Sequence, residues 1–201
     1  MFTIGLTGQT GAGKSTFADY LRGKYGFVHI DTDKISREVI KTKTAELAEK
    51  FGSDVLNSDG TPNRRALAKK AFSSRENTEK LNRIMHPSIM KEVGLLIAAA
   101  EKSGAAGAVI DGAALIESGA VKDFDTSVCI VADRELRRQR IIERDGLSDE
   151  DAETRLNGQK DESFYIANTE HKIVNNSLSE LEKQADGLMR KYNIYPVREG
   201  K

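Results

Sequence analysis

The sequence predicts an α/β fold, with a parallel sheet of about five strands and helices on both faces. Three observations lead there. The chain opens with an apolar run at residues 2–7 that ends in glycines and passes into helix-compatible residues over 14–24, the order strand, loop, helix. Further short apolar runs fall at 27–30, 108–110 and 127–131, with a weaker fifth at 173–174, and read as buried strands. Helical stretches separate them, which is the alternation of a parallel sheet covered on both sides. The gap from 33 to about 107 is far longer than one crossover helix and must hold several. Residues 34–107 are therefore expected to form a helical insertion within one domain spanning 1–201.

Composition removes several function classes. A chain of 201 residues can bury one sizeable α/β core. Lysine plus arginine and aspartate plus glutamate number 31 each, so no net positive field draws in a nucleic acid or an anionic membrane surface. The alanine-rich run at 95–100 falls well short of the roughly 20 residues that cross a bilayer. The start of the chain lacks the pattern of a signal peptide, and one cysteine, Cys129, excludes an intramolecular disulfide. The expected compartment is the cytoplasm, with no nucleic-acid or membrane partner and a monomer or weak homo-oligomer as the state. No internal repeat or proline-rich linker marks a boundary.

The run Gly8, Gln9, Thr10, Gly11, Ala12, Gly13, Lys14, Ser15 has the spacing glycine, four residues, glycine, lysine, hydroxyl residue. Glycines open backbone angles closed to other residues, so successive N–H groups can turn inward as an anion nest. Lys14 adds a mobile charge for β and γ phosphates. The Ser15 hydroxyl can ligate Mg2+, and the following helix aims its positive end at the anion. A strand before and a helix after give the pattern its meaning, a nucleotide triphosphate site. By itself it does not separate a kinase from a GTPase or an ATPase motor.

Acidic residues narrow the reaction. Asp31 and Asp33 follow the second strand, where the ligand crevice of a parallel sheet lies. An alcohol acceptor needs a group that orients it and takes its proton, and Asp33 is assigned that role. Capping of the next helix is the plainer use of such an aspartate, and the two can fill one role each. Asp111 ends the run 108–110, the place of a magnesium-organising acid, with a turn residue as the other reading. No asparagine-lysine-x-aspartate stretch is present, which counts against a GTPase and favours ATP. The segment 134–160 carries arginines at 134, 137, 138, 140, 144 and 155. By charge alone it is a solvated helical pair, whereas beside a phosphate site it becomes a candidate lid.

In this order the motifs resemble the dephospho-coenzyme A kinase family, up to about Ser177. The resemblance rests on I-G-L-T-G before the loop, D-T-D-K-I-S-R-E-V at 31–39, D-G-T-P-N-R-R-A-L at 59–67 and L-N-R-I-M-H-P at 81–87. The last two stretches resemble the helical acceptor side of this family in particular. The resemblance implies a P-loop kinase fold with a helical lid, ATP and Mg2+ as cofactors, and phosphorylation of the ribose 3′-hydroxyl of dephospho-coenzyme A. It further implies Asp33 as base, Gly8 to Thr16 as nucleotide loop, and Arg140 as the charge on the transferring phosphoryl group. Arg144 resembles the lid, and Arg155 with Gln159 the family's R-x-x-x-Q helix. Asn175 resembles the asparagine bordering the adenine, and Asp33, Arg37, Arg64, Arg65, His86 and Asp111 form the substrate side. The chain departs from the family at 111–117, D-G-A-A-L-I-E in place of D-x-P-L-L-F-E, and at Arg137, where glutamine is frequent. Two alternatives stand beside this reading: a P-loop kinase for another alcohol, nucleoside or nucleotide, and a non-kinase switch protein that hydrolyses ATP slowly.

Other residues are expected to be structural. His86, before Pro87 at a helix end, either touches the acceptor or makes a structural hydrogen bond. His29 and His171 lie in or beside strands, where a satisfied structural role is expected. Cys129 is expected in the core, and the tail 191–201 to fray.

Overall fold

Apolar runs punctuated by glycine and aspartate become the strands. β1 (Phe2–Thr7) leads through the glycine loop into α1 (Lys14–Tyr25), which stops at Gly26 in the left-handed region with its amide returned to the Leu21 carbonyl. β2 (Phe27–Asp31) passes directly into α2 (Thr32–Thr42), followed by α3 (Thr44–Phe51), α4 (Arg64–Ala71) and the 28-residue α5 (Arg75–Lys102). Then come β3 (Gly107–Asp111), β4 (Thr126–Val131), α6 (Arg134–Asp145), α7 (Asp149–Asn157), α8 (Glu162–Ala167), β5 (His171–Val174) and α9 (Leu178–Lys191). The structure is a computed structural model that describes residues 1–112 and 114–197. Ala113, part of the departure at 111–117, and the last residues of the tail lie outside the described residues.

All five expected strands form one sheet in the order β2-β3-β1-β4-β5. β1 runs parallel to β3 and β4, with Leu6 opposite both Asp111 and Val128, and β5 runs parallel to β4. The strand that feeds the glycine loop is therefore central, and the carboxyl ends of β3 and β4 flank it. The weak fifth strand extends from His171, beyond the two residues that sequence suggests, because it pairs along β4.

The chain divides into two compact units, Met1–Ile30 with the chain from Ala99 onward, and Asp31–Ala98. The first holds the sheet and a core built on Ile4, Leu6, Phe17, Leu21, Val128 and Ile130. Within it, α6 and α7 close over their own small core of Ile141, Ala152 and Leu156. The second unit, all helical, packs around Val39, Leu47, Phe51, Val55, Leu67 and Ile84. Burying a leucine or phenylalanine side chain stabilises by about 1.5–3 kcal/mol, so each unit has a core of its own. Cys129 is fully buried and its thiol is pushed up to about 12 by burial, which makes it the inert core residue expected.

One expected boundary is corrected. His86 and Pro87 lie inside α5, not at a helix end. Proline removes the amide that would bond the carbonyl of Arg83, yet Ile84 and Met85 are buried in the second core, and their packing carries the helix through.

α1 and α9 are joined by a polar clamp. Asp186 accepts hydrogen bonds from Tyr20 Oη (2.6 Å), Tyr25 Oη (2.7 Å) and Lys24 Nζ (2.8 and 2.9 Å). Burial alone would raise the Asp186 carboxyl, but these donors outweigh it and hold it below its ordinary 3.8. With the folded value depressed, the unfolded chain takes the proton first. The clamp's contribution is thus present above 3.8 and is lost as pH falls through the folded value. Asp186→Ala strands the buried Tyr25 hydroxyl and should lower stability by about 2 kcal/mol, roughly 4–8 °C in Tm. Thermal melts at neutral pH check this, and the gap to wild type should narrow in melts below pH 3.8.

Candidate active site

The loop between β1 and α1 takes its shape from contacts outside itself. Gly13 sits at φ +95°, and a Cβ there would lie 1.9 Å from Asn175 Nδ2. Gly8 sits at φ +134°, where a Cβ would lie 2.3 Å from the Ile130 carbonyl. Both positions therefore require glycine on two counts, angle and space.

The loop carbonyls are engaged in turn. Gly8 O accepts from Lys14 Nζ (3.0 Å), Gln9 O from the Ala12 amide (3.2 Å), and Gly13 O from the Phe17 amide (3.1 Å). Gly11 O accepts from Arg140 Nη1 (3.3 Å) and Ala12 O from Asn175 Nδ2 (2.8 Å). Asn175, 3% exposed, is held by its own amide on Val131 O (2.8 Å), and its carbonyl accepts from Arg140 Nη2 (3.0 Å). The apex is tied to the segment before α8: the Thr10 amide donates to Gln159 Oε1 (2.8 Å) and Gln9 Nε2 to the Lys160 carbonyl (2.9 Å). No side chain caps α1, so the amides of its first turn, Lys14 to Thr16, have neither an intrahelical acceptor nor a cap. With the dipole of a 12-residue helix behind them, they can receive an anion.

Four residues of the expected nucleotide and catalytic set thus come together: Lys14, Arg140 and Asn175 converge on the loop, and Ser15 stands in the first turn of α1. Arg144 is elsewhere, in the corner of α6 and α7. It binds Asp145 with both arms (2.8 Å each), and Arg155 donates to the same carboxylate (2.6 Å). The Arg144 guanidinium, with Arg155 behind it, holds Asp145 below the usual carboxylate value. Arg137, the departure from the family, is 5% exposed beneath the loop. Its Nε donates to Ala132 O (3.1 Å), and its Nη1 has no hydrogen-bond partner among the described residues. Burial pushes the guanidinium below its ordinary value, with Glu162 opposing.

At the carboxyl ends of β2 and β3 the structure corrects a second expectation. His29 is not satisfied: its Nε2 is buried without a hydrogen-bond partner among the described residues, 3.6 Å from Asp111 Oδ2. The signal available in sequence was the period of two, which sets His29 on the same side of β2 as Asp31. His171 is paired as expected, 2.9 Å from Tyr192 Oη.

The remaining acceptor-side residues belong to the helical unit. Asp31 is the cap of α2, accepting from the amides of Asp33 (3.0 Å) and Lys34 (3.1 Å), and Asp33 stands exposed in the first turn. Arg37 is exposed one turn further on. The stretch at 59–67 is a turn followed by a helix start. Asp59 accepts from the Thr61 amide and hydroxyl, and Asn63 caps α4 through the Ala66 amide, so Arg64 and Arg65 stand exposed in its first turn. Arg37, Arg64 and Arg65 form no ion pair among the described residues. His86 is half-buried in α5. A groove within this unit between α2 and α5, lined by Lys34, Glu38, Lys41, Lys91 and Glu92, includes none of these six residues.

The sequence pattern of the dephospho-CoA kinase family matches residues 2–180. A dephospho-CoA kinase of Corynebacterium efficiens is 39% identical over 193 residues, covering 94% of this chain and 96% of the relative. A crystal structure from Thermus thermophilus superposes with a TM-score of 0.76 at 28% identity, covering 94% of this chain and 97% of that one. A dephospho-CoA kinase structure from Campylobacter jejuni, at 23% identity and TM-score 0.54 over 94% of this chain and 96% of that one, shares the fold. This chain, with its P-loop kinase fold, belongs to the dephospho-CoA kinase family.

Proposed function

We propose that this chain transfers the γ-phosphoryl group of ATP to the ribose 3′-hydroxyl of dephospho-coenzyme A, giving coenzyme A and ADP. The observation that carries the reading is family membership across residues 2–180, which takes in both the phosphate loop and the helical acceptor unit. It does not favour another acceptor or a slow ATP-dependent switch. In this reading 1–201 is one kinase domain, with 34–107 its helical acceptor-side insertion and 134–160 its lid.

The roles follow from chemistry. Amides of the loop and the start of α1 bind the β and γ phosphates, and Lys14 leaves the Gly8 carbonyl to neutralise charge on the transferring group. Asp33, relieved of capping by Asp31, orients the 3′-hydroxyl and accepts its proton as oxygen attacks phosphorus and the bond to the β-phosphate oxygen breaks. Arg37, Arg64 and Arg65 suit the anionic groups of the acceptor, bidentate donors for phosphate. Arg144 exchanges Asp145 for the nucleotide when the lid closes, a surface ion pair worth about 1 kcal/mol or less. Among the described residues no group of three or more histidine, cysteine, aspartate and glutamate side chains can hold a metal. If Mg2+ enters with ATP, Ser15 Oγ would hold it together with phosphate oxygens and water, the ligand set this ion prefers. Bound with ATP, it supplies charge neutralisation across the phosphates. No helix among the described residues is long and apolar enough to cross a membrane. In this reading the protein works in the cytoplasm as a monomer or weak homo-oligomer, and its balanced charge favours a small-molecule partner over a nucleic acid.

Two substitutions test these roles. Lys14→Ala should leave the melting temperature unchanged and reduce phosphoryl transfer by about a hundredfold or more, measured as ADP release with dephospho-coenzyme A. A loss of only a few fold would remove the loop lysine from the chemistry. Asp33→Asn keeps size and polarity and removes only charge and basicity. It should lower kcat by roughly a hundredfold or more with ATP binding retained. A wild-type rate in folded Asp33→Asn would end the assignment of the base.

A further inference from the structure

His29 is the middle residue of β2, two residues from Phe27 and two from Asp31, so all three share one side of the strand. Phe27 fixes which side, because it is packed in the sheet's core with Phe17 and Leu21 of α1. β3 is the neighbouring strand, and Asp111 closes it opposite Leu6, two residues before Gly8 begins the phosphate loop. The pair therefore stands at the carboxyl edge of the sheet, where ligands of this architecture bind.

The side chains of His29 and Asp111 are 18% and 17% exposed, and their nearest polar atoms are 3.6 Å apart. That is too long for an N–H···O hydrogen bond, which closes at about 2.7–3.2 Å. Yet Nε2 of His29 is buried and makes no other hydrogen bond among the described residues. A buried donor left unmade costs about 1–3 kcal/mol, and a structural histidine normally finds its partner within the fold. Here the Asp111 carboxylate stands just beyond hydrogen-bond reach of Nε2, and a small rotation of either side chain closes the distance. Hydrogen bonds of this kind are often long in a ligand-free site and tighten in the complex.

We propose that His29 is a positioning residue for phosphoryl transfer. With its proton on Nε2 it donates to the Asp111 carboxylate when substrates bind, and so fixes the direction of the second carboxylate oxygen. The proposal rests on Asp111 being a substrate-side residue, and His29 acts only through it.

A double-mutant cycle on kcat tests this. His29→Leu should lower kcat about tenfold, the scale on which outer partners of site groups act. The KM values for ATP and dephospho-coenzyme A should stay within about threefold, and the melting temperature should not fall, because no hydrogen bond is lost in the free protein and an unpaired buried donor is removed. His29→Gln, which carries an amide nitrogen to the place of Nε2, should recover most of the rate. In an Asp111→Ala background, His29→Leu should cost nothing further. A wild-type rate in Asp111→Ala would end the role of Asp111 itself. A slow Asp111→Ala beside a wild-type His29→Leu, losses that multiply in the double variant, or an effect confined to KM would end the role of His29 alone. Should His29→Leu fail to fold, His29→Gln is compared with His29→Asn, whose nitrogen stops at the place of Nδ1. A faster glutamine variant supports the proposal and equal rates overturn it.

Discussion

The hydrogen bond from Asn175 Nδ2 to the Ala12 carbonyl is the contact on which the nucleotide site depends. A glycine-rich loop is free to point either its amides or its carbonyls at a ligand, and only the first choice binds an anion. Asn175 settles the choice at Ala12, and Arg140 settles it at Gly11 while also holding the Asn175 carbonyl. With the Gly11 and Ala12 carbonyls engaged by Arg140 and Asn175, the amides at the start of α1 remain for phosphate. The same contact explains a glycine, since any side chain at Gly13 would occupy the place of the Asn175 amide. Its energy in isolation is modest, about 1 kcal/mol, but it acts before ligand arrives and so reduces the ordering that binding would otherwise require.

Around this fixed centre the charged groups are held in reserve. Lys14 rests on the Gly8 carbonyl, and Arg144 and Arg155 share Asp145. Each is an exchangeable contact of low net energy, so phosphate oxygens can replace them without unfolding anything. The loop apex is bonded to Gln159 and Lys160, which links the segment following α7 directly to the glycine loop. Under the proposed reaction, fixed amides would set position and mobile cations would follow charge.

What could be read from sequence was what is contiguous. The loop from Gly8 to Ser15, the five strands and the helical character of the long gap all followed from spacing and periodicity, because each is determined within a few residues. The cap at Asp31 was legible as one of two options, and the backbone chose it because its side chain reaches the amides of Asp33 and Lys34. The position of Asn175 was visible by resemblance, but its hold on a residue 163 positions away was not. His29 was misread for the same reason, since the strand beside it arrives only after the whole helical unit. Pro87 misled in the opposite way: a local breaker was overridden by the burial of Ile84 and Met85.

The most direct measurement is calorimetric titration of ATP into Asn175→Ala, with circular dichroism on the same sample to establish the fold. Removal of the donor frees the Ala12 carbonyl to turn toward the phosphates. The expected result is a folded protein whose ATP affinity has fallen by about tenfold or more, a loss of about 1.4 kcal/mol or greater. Wild-type affinity in folded Asn175→Ala would contradict the view that this hydrogen bond orders the loop.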